Sequence, residues 1–389
     1  MSHSNNHPDQ VKGTWEPEFK GLCDILEKKI ANETEVGASI TVNVDGKNVV
    51  DIWGGYRDEA RSEAWEENTI VNVFSTTKNI VNLAMLILID RGLLEPHAKV
   101  SKYWPEFAQN GKQDVKVRHL MSHTSGLAAW DEHMELSDLY DFESAAAKLA
   151  AQPPAWTPGT ASGYQSLTQG FLLGKLVRQV TSLTLTEFVD KDIAAPLEAD
   201  FQIGAKPSDW PRIANMIGYT LTTPSDLDTK SVAYKCLNNP MFPFEMANTP
   251  EWRNAELGSC NGHGNARSVA RILSAISTGG EVDGIRLLKP ETIDLIFQEQ
   301  AMGTDLVLAF PFRFGMGFAL TAPDIWPPYL PSNGRVCWWA GAGGSIGVMD
   351  LDRRMTIAYT PNKMQALGPA GEYVECIYKI LGGRTPSLI

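Results

Sequence analysis

What most constrains the fold of this chain is where its strand patterns fall. Residues alternate apolar and polar from Ala38 to Val44, Asp45-Gly46 is a hairpin turn signal, and a second strand follows over Val49 to Trp53. Strand patterns of comparable strength return only near the other end, at Phe312 to Leu320, Val336 to Trp339, Ser345 to Asp350 and Met355 to Tyr359. The last two read as a hairpin turning near Asp352-Arg353. Residues 15–33 place Phe19, Leu22, Ile25, Leu26 and Ile30 at helical spacing, and a final amphipathic helix covers roughly Glu372 to Leu381. Between the ends the pattern is helical, with helices expected at 76–92, 142–151, 166–181, 185–193 and 265–278. Short strands cannot each bury a face alone, so the two ends must pair.

The expected fold class is therefore α/β of the α+β type: an antiparallel sheet drawn from both chain ends and flanked by helices, with a mainly helical domain inserted. A chain of 389 residues suits two or three such units. The expected division is a discontinuous sheet-and-helix domain of residues 1–72 plus 260–389, and a helical domain of residues 73–259. Within the latter, residues 205–258 are irregular and carry Trp210, Tyr219, Tyr234, Phe242, Phe244 and Trp252 among prolines. Aromatics in a long irregular stretch favour a lid-like loop or a pocket wall.

Charge and composition remove several functions. With 34 basic against 46 acidic residues, a formal net of −12, and no Lys/Arg-rich run, nucleic acid is a poor partner. The longest apolar run, Ile80 to Ile89, is interrupted by Asn82 and is about half a bilayer span, so it reads as a buried core helix and no membrane partner is expected. The polar N-terminal residues carry no signal-peptide pattern. The five cysteines (Cys23, Cys236, Cys260, Cys337 and Cys376) are scattered and form no C-x-x-C, which suits reduced thiols in a cytoplasmic protein.

Two serines compete for the role of nucleophile. Gly343-Gly344-Ser345-Ile346-Gly347 fits G-x-S-x-G, a motif that needs a strand-to-helix elbow with the histidine following the serine. The histidines lie at 3, 7, 97, 119, 123, 133 and 263, all before Ser345, and Ser345 leads into a strand. A glycine-rich start to a strand, approached closely by another segment, is the better reading. The other candidate is Ser75-Thr76-Thr77-Lys78, the single S-x-x-K of the chain. Residues three apart on a helix share a face, so Ser75 and Lys78 can meet. The motif opens the most hydrophobic helix of the protein; burial there lowers the lysine pKa and makes it a base. The first turn of a helix also favours developing negative charge. A chain of this length yields about one S-x-x-K by chance, so the motif needs company.

Company is present in Trp156-Thr-Pro-Gly-Thr-Ala-Ser-Gly-Tyr164-Gln-Ser166, in Trp339-Ala340-Gly341-Ala342-Gly343-Gly344, and in His119-Leu-Met-Ser-His123-Thr-Ser-Gly126-Leu127. Four co-linear motifs make the chain resemble, from about residue 15 to residue 385, the serine β-lactamase-like family, whose fold is that of β-lactamases and penicillin-binding proteins. Within that family it is most similar to the family VIII carboxylesterases on the class C β-lactamase fold. The resemblance implies that Ser75 is the acylated nucleophile, Lys78 its base partner, and Tyr164 a residue that shares the base role and protonates the leaving group. It implies an edge strand at Trp339-Ala340-Gly341, with the Ser75 and Ala342 N–H groups forming an oxyanion hole. No cofactor and no metal are implied.

The chain departs from the family pattern at two positions. Trp339 stands where β-lactamases carry the lysine of K-T-G. An indole cannot pair with a substrate carboxylate but can line an apolar pocket, which favours neutral esters. Ser166 replaces the Asn of Y-x-N and hydrogen-bonds more weakly. Trp339, Ala340, Gly341 and Ser166 are thus the expected substrate contacts. The expected activity is hydrolysis of short-chain carboxylic esters, with a small-molecule ester as partner. A β-lactamase or DD-peptidase-like activity, an acyltransferase using the same acyl-enzyme, and a non-catalytic binding protein on this fold remain open alternatives. His119 and His123 match the family's structural L-S-H-T-S-G-L loop and lack a third metal ligand. His263 reads as capping or packing, and Asp131 and Glu132 as surface charges.

Overall fold

A computed structural model describes residues 11–218, 227–365 and 368–382. Tyr219, one of the aromatics in the irregular stretch, lies outside the described residues. The two chain ends do pair: Gly37–Val44 runs antiparallel to Met355–Pro361, in register from Ala38 opposite Pro361 to Val44 opposite Met355. The resulting nine-stranded sheet is antiparallel throughout. Its spatial order is Lys12–Trp15, Lys47–Gly55, Gly37–Val44, Met355–Pro361, Ile346–Asp350, Val336–Ala340, Ala319–Leu320, Pro311–Phe314 and Ala301–Thr304. The Asp45-Gly46 turn has φ of 50° and 82° at its two residues, the left-handed pair that a tight hairpin with native twist requires.

The sheet is covered on both faces. Ile40, Val42, Ile357 and Tyr359 pack with Leu22, Leu26 and Ile30 of the helix Lys20–Ala31 and with Tyr373, Val374 and Ile377 of the helix Ala370–Ile380. The alternate residues face the helix Ala266–Ser277 and include small polar ones joined by buried hydrogen bonds. Ser39 meets Thr360 at 2.8 Å and accepts from the Ala266 N–H at 3.1 Å; Ser277 meets Thr356 at 2.8 Å. Asn265 caps this helix by accepting from the Ser268 N–H at 2.9 Å.

Beyond that helix lies the second layer, centred on the helix Thr77–Asp90. Its residues are buried from Thr77 to Leu88 whichever way they face, as expected of a helix enclosed by others. Helices Thr168–Thr181, Leu185–Val189 and Pro290–Ile296 pack around it. Among the described residues no helix is long and apolar enough to cross a membrane. None of the five cysteines is in a disulfide.

Two features differ from the sequence expectation. The stretch Phe312 to Leu320 is two short strands, because Gly315 and Gly317 break it. Gly317 has φ +87°, and a Cβ on Gly315 would meet the Ile296 carbonyl oxygen at 1.8 Å. There is also a second sheet of four tiny strands, ordered Phe201–Ile203, Gly262–Gly264, Ile70–Asn72 and Ile213–Ala214. Strands of two or three residues carry no readable alternation.

One buried acid gives the fold a testable pH dependence. Glu35 is fully enclosed; the Tyr373 O–H donates to its Oε1 at 2.6 Å, and among the described residues its Oε2 has no hydrogen-bond partner. Burial pushes its carboxyl up to about 7. The folded state therefore holds this proton more tightly than the unfolded chain does. The stability it contributes is complete below the unfolded value and is lost as pH rises towards 7. Glu35→Gln cannot ionise, so its stability relative to the native chain should grow between about pH 4.5 and 7 and then level off. The expected gain at pH 8 is about 3 kcal/mol, read by urea unfolding at several pH values.

Candidate active site

The small sheet delivers Ser75 to its place. Val73 N–H donates to the Gly262 carbonyl at 2.8 Å, and Asn72 is tied through its Nδ2 to Asn261 Oδ1 at 2.9 Å. Asn72 Oδ1 accepts from the Phe74 N–H at 2.9 Å, which helps hold Phe74 at φ +42°, a conformation that bulky residues rarely adopt. The Phe74 ring is fixed from outside by Phe244 at 5.3 Å and Trp252 at 6.4 Å, both from the aromatic-rich irregular stretch. The chain then turns into the helix Thr77–Asp90, with Ser75 at the turn and Lys78 in the first helical residues.

Lys78 Nζ lies 3.2 Å from Ser75 Oγ and donates to the carbonyl oxygens of Ser166 at 2.8 Å and Ser259 at 2.9 Å. Among the described residues no carboxylate pairs with it. Burial alone penalises the ammonium and lowers its pKa to about 7. The two carbonyls and the face of the Tyr164 ring, 4.8 Å away, steady whatever charge it carries. Tyr164 O–H donates to Ser75 Oγ at 2.7 Å, and burial pushes the phenol above its ordinary value of 10. The serine hydroxyl is thus met by an amine poised between its two forms and by a phenol that keeps its proton.

Tyr164 is supported from below by aromatic rings. His123 meets it edge-on at 5.1 Å, and Trp339 lies 5.1 Å away. His123 Nδ1 accepts from the Gln165 N–H at 3.2 Å, which requires a neutral ring; burial lowers its pKa well below the usual range. The Trp339 indole is only 6% exposed, packed also against Phe312 and Phe314, both at 5.7 Å. It sits under Tyr164, in an aromatic stack.

The third motif differs in one respect from expectation. Val336–Ala340 is an internal strand, not an edge strand, because Ala319–Leu320 pairs with it. That neighbour is only two residues long and reaches Cys337 and Trp338, so from Trp339 onward the side facing Ser75 is free of strand pairing. Gly341 packs so closely that a Cβ would lie 2.3 Å from the Val73 carbonyl oxygen and 3.1 Å from the Ser75 nitrogen. Among the described residues the Ser75 and Ala342 N–H groups donate to no protein acceptor. Free amides that converge on one carbonyl oxygen are what a developing oxyanion needs, the role expected of this pair.

Ser345 is occupied elsewhere. Its Oγ donates to the Val73 carbonyl at 2.7 Å and meets Thr76 Oγ1 at 2.9 Å, so it stitches the third motif to the nucleophile turn. Ser166 contributes its backbone oxygen to Lys78. The helix holding His119 stops at Met121, so His119 and His123 do not stack on one helical face. His263 is enclosed in the small sheet, its pKa lowered to about 3 by burial. Asp131 and Glu132 form surface ion pairs with Lys235 at 2.6 Å and Lys148 at 3.2 Å. No group of three or more metal-ligating side chains occurs among the described residues.

Sequence reasoning missed Asn79 and Ser259. Asn79 Nδ2 donates to the Trp339 carbonyl at 3.1 Å, tying the helix of Lys78 to the third motif. Ser259 bonds Lys78 through its carbonyl, while its hydroxyl links Leu167 and Gly170. Asn79 follows the S-x-x-K directly, a polar residue at the start of a buried helix, which is a usable signal. Nothing local distinguishes Ser259.

A family model described as Beta-lactamase matches residues 24–374, and the chain belongs to that family. It is 30% identical to the esterase/beta-lactamase LipL of Mycobacterium tuberculosis, over 93% of this chain and 86% of that protein. It is also 30% identical to esterase EstB of Burkholderia gladioli, over 45% of this chain and 49% of that one. Among solved structures, a family VIII carboxylesterase superposes with a TM-score of 0.88 at 33% identity, covering 95% of this chain and 99% of that one. A penicillin-binding protein homologue from Caulobacter crescentus follows at 0.86 and 31%, with coverage of 95% and 99%. The chain is a serine hydrolase of the β-lactamase fold.

The close approach at Gly341 makes a sharp prediction. Gly341→Ala must push the third motif away from Val73 and Ser75. We expect kcat to fall by about 100-fold with a smaller change in KM, as when one oxyanion donor is withdrawn. Steady-state kinetics on an ester substrate read the split.

Proposed function

We propose that this chain is a carboxylesterase that hydrolyses short-chain esters through an acyl-Ser75 intermediate. The observation that carries the reading is the convergence of Lys78 Nζ at 3.2 Å and Tyr164 Oη at 2.7 Å on the Ser75 hydroxyl, with Lys78 stripped of water and of counter-charge. In its neutral form Lys78 takes the Ser75 proton as Oγ attacks the ester carbonyl. The tetrahedral oxyanion lies between the Ser75 and Ala342 amides. Tyr164, kept as a phenol by burial, gives its proton to the departing alkoxide and is reprotonated from the Lys78 ammonium. Water then attacks the acyl-enzyme and passes a proton to Lys78, and the same pair returns it to Ser75 Oγ as the acyl–oxygen bond breaks and the acid leaves.

Ester specificity is supported by Trp339, which supplies no cation for a substrate carboxylate, and by the names of the relatives, EstB and the family VIII carboxylesterase among them. Small acyl groups suit a Ser75 that is only 9% exposed. Turnover of β-lactams is the second reading, favoured by the dual description of LipL.

The test compares the native chain with Ser75→Ala and Ser345→Ala on p-nitrophenyl butyrate and on a chromogenic cephalosporin. Ser75→Ala should abolish ester turnover and labelling by a fluorophosphonate probe. Ser345→Ala should still label, with activity reduced by less than about tenfold, since it loses hydrogen bonds and no reacting atom. A cephalosporin rate comparable with the ester rate would move the assignment to the lactamase side. Full activity in Ser75→Ala would refute the mechanism.

The same reading fixes a pH profile. A base with a pKa of about 7 must be deprotonated to act, so kcat/KM should fall about tenfold per unit below pH 7 and level off above it. An inflection near 4, the range of a carboxylate, would point to a different base.

A further inference from the structure

Tyr164 lies in a stretch without regular secondary structure, residues 152–167. A loop residue has no helix or strand ladder to fix its height, yet its hydroxyl must meet Ser75 Oγ. Three successive backbone amides supply the fixation. Gly163 N–H donates to the His123 carbonyl at 2.9 Å and Gln165 N–H to His123 Nδ1 at 3.2 Å. Between them, Tyr164 N–H donates to Oδ1 of Asp305 at 3.1 Å, across 141 positions of sequence.

Asp305 is 1% exposed, and among the described residues no cation pairs with it. Its Oδ1 also accepts from the Val307 N–H at 2.9 Å and the Leu308 N–H at 3.0 Å, while Oδ2 has no hydrogen-bond partner among the described residues. The loop that it heads closes on itself, Asp305 N–H donating to the Phe310 carbonyl and Ala309 N–H to the Asp305 carbonyl, both at 3.0 Å. It is stitched to the tyrosine stretch a second time by Leu306 N–H on the Ser162 carbonyl at 2.9 Å. A carboxylate buried without a counter-ion is costly, and an apolar side chain would fill the same space at lower cost. What an apolar side chain cannot do is hold the amide of Tyr164.

We propose that Asp305 is a positioning residue for Tyr164, holding the phenol at donating distance from the nucleophile and leaving group. The inference rests on the reading of Tyr164 as the proton donor to the leaving alkoxide. Asp305 touches neither substrate nor reacting atoms; it acts through the Tyr164 backbone.

The consequence is a dependence on leaving group. An alkyl alkoxide needs a proton as it departs, whereas p-nitrophenolate leaves with little help. Asp305→Ala should lower kcat/KM by about 100-fold for ethyl butyrate, the scale of a misplaced acid. It should lower it by less than about fivefold for p-nitrophenyl butyrate. Asp305→Asn retains an Oδ1 acceptor and should stay within about fivefold of the native chain on both. If Asp305 matters only for folding, the two esters suffer alike, and equal penalties in Asp305→Ala overturn the proposal. So does an Asp305→Ala protein with native rates on ethyl butyrate. Should Asp305→Ala be recovered unfolded, Asp305→Ser, which is too short to span the three amides, carries the same comparison. Loss of Ser75-dependent turnover in the native chain would instead defeat the esterase reading, so the two failures are separable.

Discussion

An amine is buried here with no acid paired to it among the described residues, and the rest of the site depends on that. Lys78 is enclosed by the helical layer, and its hydrogen-bond partners among the described residues are neutral dipoles, the carbonyls of Ser166 and Ser259 and the hydroxyl of Ser75. A carboxylate in that position would hold the lysine protonated at neutral pH and remove it as a base. Two carbonyls from distant parts of the chain orient the nitrogen without that penalty. The helix Thr77–Asp90, buried on every face from Thr77 to Leu88, excludes the water that would otherwise restore the ordinary pKa. Tyr164 is affected by the same dryness in the opposite sense. Burial disfavours its phenolate, so one environment lowers the pKa of an amine and raises that of a phenol side by side, as the proposed base and acid roles require.

The second requirement is that the sheet and the helical layer meet with atomic closeness. The Gly37–Val44 and Met355–Pro361 pairing closes the sheet, and the neighbouring strands carry the third motif to the nucleophile turn. At the seam, bulk is removed and hydrogen bonds are added. Gly341 has no Cβ to collide with Val73, Ser345 bonds both Val73 and Thr76, and Asn79 holds the Trp339 carbonyl. The serine of the G-x-S-x-G string thus has a clear structural use: it ties the turn that bears the candidate oxyanion donor Ala342 to the nucleophile turn.

Much of this was legible in the sequence because the signals are local. The helices expected at 142–151 and 265–278 occur as Phe142–Ala151 and Ala266–Ser277, since period and caps lie within each segment. Ser75 and Lys78 are one helical turn apart, so their meeting follows from spacing alone. Tyr164 was placed by family likeness, since no local rule brings a loop tyrosine to a helix 89 positions away. The four tiny strands behind Phe74, the pairing of Ala319–Leu320 and the clamp by Asp305 were not legible. Each is a contact between distant segments whose own residues are short, polar or unremarkable in pattern.

The sequence by itself determined the layer architecture, the candidate nucleophile and lysine, and the preference for Ser75 over Ser345 as candidate, because periodicity, spacing and motif order are properties of neighbouring residues. Only the tertiary structure decided the electrostatics. Whether Lys78 has a counter-charge, whether Tyr164 keeps its proton and whether Trp339 faces substrate or supports Tyr164 depend on what the fold packs around each group. Desolvation and hydrogen-bond direction are set by atoms brought together from positions far apart in the chain.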